Sequence, residues 1–201
     1  MNEVASAAAR RQLRQEIRTR RRSLPASHRI AAADALANRL LALPLAPHSG
    51  YVAGYWAMDG EIALHAWQLR LPRECIYCLP VLCDDQTLRF APWRSGDPLC
   101  TNRYGIPEPD VSASSLLEPS RMVMVVMPLV GFDDHGNRLG MGGGWYDRSF
   151  AFRQGSAAPP WLVGAAFALQ QTPPVQAQPW DVRLDAVCTE DRSFKFVSVS
   201  P

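Results

Sequence analysis

Val130-Gly131-Phe132-Asp133-Asp134-His135-Gly136-Asn137-Arg138-Leu139-Gly140-Met141-Gly142-Gly143-Gly144-Trp145-Tyr146-Asp147-Arg148 is the stretch on which the reading of this chain turns. An apolar run, residues 122–130, leads into it. A polar turn follows, then four glycines within five residues, then aromatic and charged residues that can begin a helix. The order predicts strand, turn, glycine-rich loop, helix. A glycine inside regular structure costs about 0.5–1 kcal/mol relative to alanine, so four together need a reason. One reason is a backbone that must approach an anion, its N–H groups aimed at the charge beside a helix N-terminus. Arg138 and Arg148 would then add fixed charge, and Asp147 could hold a divalent cation near a phosphate. The other reason is a tight hairpin whose glycines only relieve strain. The loop is neither a Walker A sequence nor Gly-x-Gly-x-x-Gly, so no general nucleotide fingerprint decides between them.

The whole sequence has 201 residues, 47% hydrophobic and 20% charged, which suits one soluble globular domain over residues 1–201. No apolar run approaches the roughly 20 residues of a membrane span. A net charge of +2 is too small to argue for nucleic acid. The distribution says more. Eight arginines fall in residues 1–29 against two glutamates, and the one lysine is Lys195. A fixed cation in a central site is therefore arginine, and Schiff-base lysine chemistry is disfavoured. The five cysteines are expected to be free thiols; Cys75-x-x-Cys78 has no second pair at zinc-ligand spacing.

Taken in order, residues 8–22 read as a helix. Arg10, Arg14, Arg18 and Arg21 or Arg22 share one face, with Leu13, Ile17 and Leu24 on a neighbouring stripe. The arginine row is either a solvated face or a set of guanidinium groups reaching a phosphate or carboxylate site. Ser27 is expected to cap a second helix ending near Leu43. A strand at 51–57 leads to Asp59-Gly60-Glu61, which places a carboxylate at the rim of a sheet. Glu61 also fits as an N-terminal acid of a helix at 62–70, and Trp56 fits plain core packing. Residues 74–82 and 87–93 read as a hairpin, and 104–109 as a stiff two-proline loop. The run 122–130 suits a central parallel strand buried on both faces. A helix at 145–152, a strand at 161–169 and a last strand at 186–189 complete an α/β pattern with a mainly parallel sheet.

Phe-Asp-x-x-Gly-x-Arg-Leu-Gly-x-Gly-Gly-Gly-x-Tyr-Asp-Arg, residues 132–148, resembles the signature of the 5-formyltetrahydrofolate cyclo-ligase family. Arg10-Arg11-Gln12-Leu13-Arg14 and Gly105-Ile106-Pro107-Glu108-Pro109 extend the resemblance, which spans about residues 10–190. It implies a single three-layer domain similar to the sugar-isomerase and CoA-transferase architecture. It also implies ATP- and Mg²⁺-dependent conversion of 5-formyltetrahydrofolate to 5,10-methenyltetrahydrofolate through a phosphorylated formyl oxygen. Carried over residue by residue, ATP would contact Arg10, Arg11, Gln12, Leu13, Arg14, Arg138, Leu139, Gly140, Met141, Gly142, Gly143, Gly144, Trp145 and Tyr146. The folate would contact Trp56, Glu61, Met141, Gly142, Gly143, Gly144 and Trp145. Arg138 and Tyr146 would be catalytic, and Asp147 and Asp181 would lie by Mg²⁺. The implied protein is a cytoplasmic monomer with a small-molecule substrate and neither nucleic-acid nor membrane partner.

The chain departs from the family pattern at three of these places. Met141 stands where many relatives have a basic residue, Trp145 where tyrosine is common, and Trp180 where histidine usually precedes Asp181. Two other functions remain open. A different enzyme on the same architecture would use Glu61 or Glu108 as base or nucleophile, and a nucleic-acid-binding module would rest on the N-terminal arginines.

Overall fold

The structure, a computed structural model, describes residues 2–196; Met1 and residues 197–201, the ends of the expected 1–201 unit, lie outside the described residues. In chain order the elements are α1 (Asn2–Arg22), α2 (Ala26–Leu41), β1 (Gly50–Ala53), α3 (His65–Gln68), β2 (Cys75–Leu82), β3 (Leu88–Pro92), β4 (Leu99–Thr101), β5 (Pro107–Pro109), β6 (Met122–Pro128), β7 (Gly131–Phe132), β8 (Arg138–Leu139), α4 (Trp145–Ser149), β9 (Trp161–Ala165), β10 (Ala186–Cys188) and β11 (Ser193–Lys195). Among the described residues, seven strands form one sheet in the order β11-β10-β9-β6-β1-β2-β3. The inner pairings are parallel, and antiparallel partners close both edges, β11 on β10 and β3 on β2.

β6 holds the centre because its sequence is apolar in both phases of the pleat. Met124 and Val126 point into a cluster with Leu36 and Leu40 of α2. Val125 and Met127 point the other way, to Phe132, Phe150 and Leu162. A strand covered on both faces reads as a continuous apolar run, as 122–130 does. The result is three layers: α2 and α3, the sheet, then α4 with the C-terminal segments. α1 lies elsewhere, across the exit of β6, where Ile17 packs on Val130 and Leu139.

Several boundaries differ from the sequence reading. Ser27 is inside α2; Pro25 holds the N-cap position and no side chain caps it. The helix expected at 62–70 shrinks to α3, because Ile62 and Leu64 are buried in irregular chain before it starts. The 51–57 strand stops at Ala53, and the 161–169 strand at Ala165, where a 3₁₀ turn (Ala168–Gln170) takes over. The buried Gln170 side chain donates to the carbonyls of Leu129 and Val130. The 145–152 helix breaks at Phe150 into a 3₁₀ turn. The two-proline loop contains β5, paired with β4. Its prolines flank Glu108, and the neighbouring bonds run from Asn102 N to Ile106 O and from Asp110 N to Pro98 O. Proline is tolerated in a ladder where its missing N–H is not needed. β11, a short edge strand after the last strand expected, carries no clear signal in the sequence.

Candidate active site

The signature stretch divides physically into a buttress and a rim. In the buttress, Phe132 is fully buried. Asp133 accepts from the backbone of His135, Asn137 and Val175 and from the Asn137 amide. Burial works to raise the Asp133 pKa, but those bonds outweigh it and hold the carboxyl below its ordinary range. Gly136, at φ +82°, closes the β7–β8 turn where a Cβ would meet Leu184 O at 3.0 Å. The rim begins at Arg138 and continues through the glycines.

That rim borders a cleft of about 1040 Å³. It opens where the chain leaves the C-terminal ends of β1, β2 and β6, the usual place for a site in an open α/β sheet. Its size lies at the top of the range for small-molecule pockets.

One group of lining residues is cationic: Arg10, Arg11 and Arg14 of α1, Arg138 of β8, and the loop 140–144. Arg10 and Arg14 are one helical turn apart and share a face. Arg14 Nε donates to Gly140 O at 2.8 Å, so α1 rests on the glycine loop. Arg138, 7% exposed, donates to Asp147 Oδ1 at 2.6 Å, and its guanidinium lies 5.6 Å over the Tyr146 ring. Arg10 lies 3.4 Å from Asp181 Oδ2. Among the described residues, Arg11 and Arg14 have no ion pair. The buried Nε atoms of Arg10 and Arg138 have no hydrogen-bond partner there. Burial, followed by the charge of Arg10, pushes the Arg14 pKa down. Crowded, desolvated guanidinium groups with unmet donors call for an anion.

The glycines separate by cause. Gly142 and Gly144 have φ of +97° and +68°, which favours glycine whatever binds nearby. At Gly143 a Cβ would meet Trp145 Cδ1 at 2.8 Å. At Gly140 it would meet only Arg138 Nη1, at an ordinary 3.6 Å. Nothing in the fold forbids a side chain at 140; an approaching ligand would.

The second group contains Tyr55, Trp56, Met58, Asp59 and Glu61 after β1, with Leu82, Asn102, Tyr104, Ile106 and Pro107. Trp56 meets Trp93 edge-on at 5.7 Å, and Tyr104 meets Trp145 at 6.2 Å. Arg103 and Arg148 both lie over the Trp145 ring. Glu61 Oε2 accepts from Met58 N at 3.0 Å. Burial pushes the Glu61 pKa up, and its bond from Met58 and the charge of Arg21 only partly offset this. Three residues separate Glu61 from the start of α3 at His65, so it is not a first-turn acid of that helix.

The structure therefore brings most of the expected site residues to one cleft, but not all of them. Gln12 is exposed and bonds Glu16, Leu13 packs on the Ile17 cluster, and Leu139 is fully buried. Their side chains do not line the cleft; helical and strand periodicity turns them away from their neighbours in the motif. Asp147 pairs with Arg138 rather than with Arg148. Glu108 accepts from Leu82 N and Asn102 Nδ2 and is not a lining residue, which removes it as a candidate base. Met141 and Trp180, 54% and 62% exposed, sit on the cleft rim. Tyr55, Met58, Asp59, Asn102 and Tyr104 were not foreseen as lining residues. A signal existed for Asp59, a charged residue beside Gly60 and Glu61.

For a metal, Asp147 and Asp181 both border the cleft. Asp147 Oδ1 accepts from Arg138 and Val182 N, and Asp181 Oδ2 from Arg10 and Gln178 N. Among the described residues no three His, Cys, Asp or Glu side chains form a metal-holding group. The donor set fits a hard cation that takes most of its oxygens from phosphate and water, as Mg²⁺ commonly does.

Fold and cleft together define the class: an α/β enzyme with its site at the strand ends. The chain belongs to the 5-formyltetrahydrofolate cyclo-ligase family, whose pattern residues 6–190 match. It is 35% identical over 179 residues to the 5-formyltetrahydrofolate cyclo-ligase of Haemophilus influenzae, covering 87% of this chain and 94% of that one. It is 33% identical over 184 residues to that of Escherichia coli K12, covering 90% and 100%. The solved 5,10-methenyltetrahydrofolate synthetase of Aquifex aeolicus shares the fold, with a TM-score of 0.79 at 24% identity over 96% of this chain and 95% of that one. The synthetase of Mycoplasma pneumoniae gives 0.71 at 22% identity over 90% and 98%.

Proposed function

We propose that this chain is an ATP- and Mg²⁺-dependent enzyme that converts 5-formyltetrahydrofolate to 5,10-methenyltetrahydrofolate, releasing ADP and phosphate. The observation that carries the reading is the pairing, in one cleft, of crowded arginines with unmet donors beside a glycine loop with a partly buried carboxylate in an aromatic-lined region.

The chemistry explains the residue types. A formyl oxygen leaves poorly, so it first attacks the γ-phosphorus of ATP as the N5 lone pair moves toward the formyl carbon. ADP departs. N10 then attacks that carbon, phosphate leaves with the C–O electrons, and N10 gives up its proton, closing the ring. Phosphoryl transfer needs placement and neutralised charge more than a protein nucleophile. Arg10, Arg14 and Arg138 supply charge, and the backbone at 140–144 admits phosphate closely. Arg138, fixed by Asp147 and Tyr146, is positioned to stabilise charge on the transferring group. Asp147 and Asp181 would border Mg²⁺, which supplies further neutralisation when bound. Glu61 accepts from the N–H edge of the reduced pteridine, Trp56 packs against a ring face, and together they orient N10.

In this reading the protein works as one domain and as a cytoplasmic monomer, with small molecules as partners and neither nucleic acid nor membrane. Among the described residues no helix is long and apolar enough to cross a membrane. Mixing the protein with Mg-ATP and 5-formyltetrahydrofolate should raise absorbance in the methenyl product's band, with one ADP formed per product. Omitting either substrate should abolish the rise. ATP hydrolysis at an equal rate without folate would sink the reading.

A further inference from the structure

Arg21 is fully buried, an expensive place for a charge that is not fully paired. It donates to Asp59 O through Nε and Nη2, to Asp59 Oδ2 at 2.9 Å, and to Leu129 O at 3.2 Å. One guanidinium thus fastens three segments: the end of α1, the 58–61 turn, and the exit of β6 that leads into the glycine loop. Arg18 and Arg22 also clasp the Asp59 carboxylate, Arg18 at 2.8 Å. Asp59 sits at φ +53° with Gly60 at +75°, a left-handed turn that Asp tolerates better than most non-glycine residues and that the arginine contacts hold in place. The turn closes on itself, since Met58 N donates to Glu61 Oε2 and Glu61 N donates to Met58 O. Fixing Asp59 therefore fixes Glu61.

The same helix carries Arg10 and Arg14. Arg14 and Arg21 are two turns apart, about 10 Å along the axis. A rigid helix pinned to the glycine loop by Arg14 and to the Glu61 turn by Arg21 cannot shift at one contact without loading the other.

We propose that Asp59 and Arg21 are positioning residues that set Glu61 through α1, so that binding at the arginine–glycine part of the cleft and binding at Glu61 are energetically coupled. The proposal rests on the reading of Glu61 as the folate-binding acid. When α1 settles on a polyphosphate, its C-terminal arginines hold the 58–61 turn in the geometry that accepts the pteridine edge. By linkage, the second ligand returns the effect to the first by the same factor.

Calorimetric titration of 5-formyltetrahydrofolate, with and without saturating β,γ-imido-ATP and Mg²⁺, tests this. In the unaltered protein the analogue should tighten folate binding by about fivefold or more. Asp59→Asn should reduce that factor below about twofold while leaving the analogue's own affinity within about twofold. Arg18→Ala should give an intermediate factor, and it carries the test if Asp59→Asn does not fold. A purely structural role would lower the melting temperature and leave the ratio of affinities alone. An equal factor in the unaltered and variant proteins, or a factor of one in the unaltered protein, would overturn the proposal. Glu61→Gln separates the two levels. Unchanged folate binding there removes the Glu61 reading and this inference with it. Lost folate binding there, with coupling intact in Asp59→Asn, removes the inference alone.

Discussion

The cationic part of the cleft draws on two short stretches, residues 10–14 and 138–147, and its neighbours in space are largely neighbours in sequence. The Glu61 part is assembled from residues 55–61, 80–88 and 102–107, which meet only after the sheet has formed. The contrast follows from what each part is proposed to hold. Holding an anion takes backbone freedom and permanent charge, and both leave an unusual local composition. Holding a flat, partly apolar molecule takes ordinary aromatic and aliphatic side chains, which any core also uses. The two parts also differ electrostatically. Burial lowers Arg14, where the charge of Arg10 adds to it, and raises Glu61, where the bond from Met58 and the charge of Arg21 only partly offset it.

The largest expected effect comes from breaking the first part at its most buried point. Arg138→Ala removes the charge proposed to stabilise the transferring group and leaves Asp147 without its ion pair. Turnover should fall by roughly 10²–10³, the loss typical for a preorganised transition-state donor. Steady-state kinetics beside a melting curve checks this; a drop below tenfold in a folded variant would move the charge stabilisation elsewhere.

Next in size is the pH behaviour of the second part. Because burial raises Glu61 above its ordinary value of 4.5, the carboxylate is lost as pH falls through that raised pKa. The acid limb of kcat/KM for folate should therefore lie above 4.5 and disappear in Glu61→Gln. The sign for folding is the reverse of the usual acidic case. The protein contains a penalty for ionised Glu61 that grows as pH rises through the folded pKa, so Glu61→Gln should gain stability relative to the unaltered protein above that pH. A limb that persists in the variant belongs to another group.

The smallest effect separates a glycine the fold needs from one a ligand needs. Gly140→Ala places a methyl where only Arg138 Nη1 is near, at 3.6 Å. Melting temperature should hold or rise slightly, since alanine restricts the unfolded chain. ATP affinity should drop by about threefold to tenfold, as one weakened charged contact implies. Unchanged affinity would return the loop to the tight-hairpin reading.

These differences also explain what could be read early. The continuous apolar run of β6, the β2–β3 hairpin, the arginine face of α1 and the glycine loop all carry local periodicity or composition, and each lies where the sequence placed it, give or take its ends. Element ends were harder. Ser27 is a good cap by residue type, but Pro25 takes the position. Asp59 gave little sign of its role, because Arg18, Arg21 and Arg22, which clasp it, are about forty residues earlier. Gln12, Leu13 and Leu139 differ in another way: they belong to the family motif, but their side chains do not line the cleft, and the stripe of Leu13 and Ile17 marks Leu13 as a packing residue.

The central claim is that one cleft holds two ligands by separable means, and a pair of variants tests it most directly. Titrations of Mg²⁺-β,γ-imido-ATP and, separately, of 5-formyltetrahydrofolate alone would be run on Arg14→Ala and Glu61→Gln. The account predicts that Arg14→Ala weakens the nucleotide analogue by roughly threefold to tenfold, a contact discounted for partial exposure, with folate little changed. Glu61→Gln should weaken folate on the order of tenfold or more, as loss of a charged hydrogen bond implies, with the analogue unchanged. If both variants weaken both ligands equally while remaining folded, or neither weakens either, the division of the cleft is wrong.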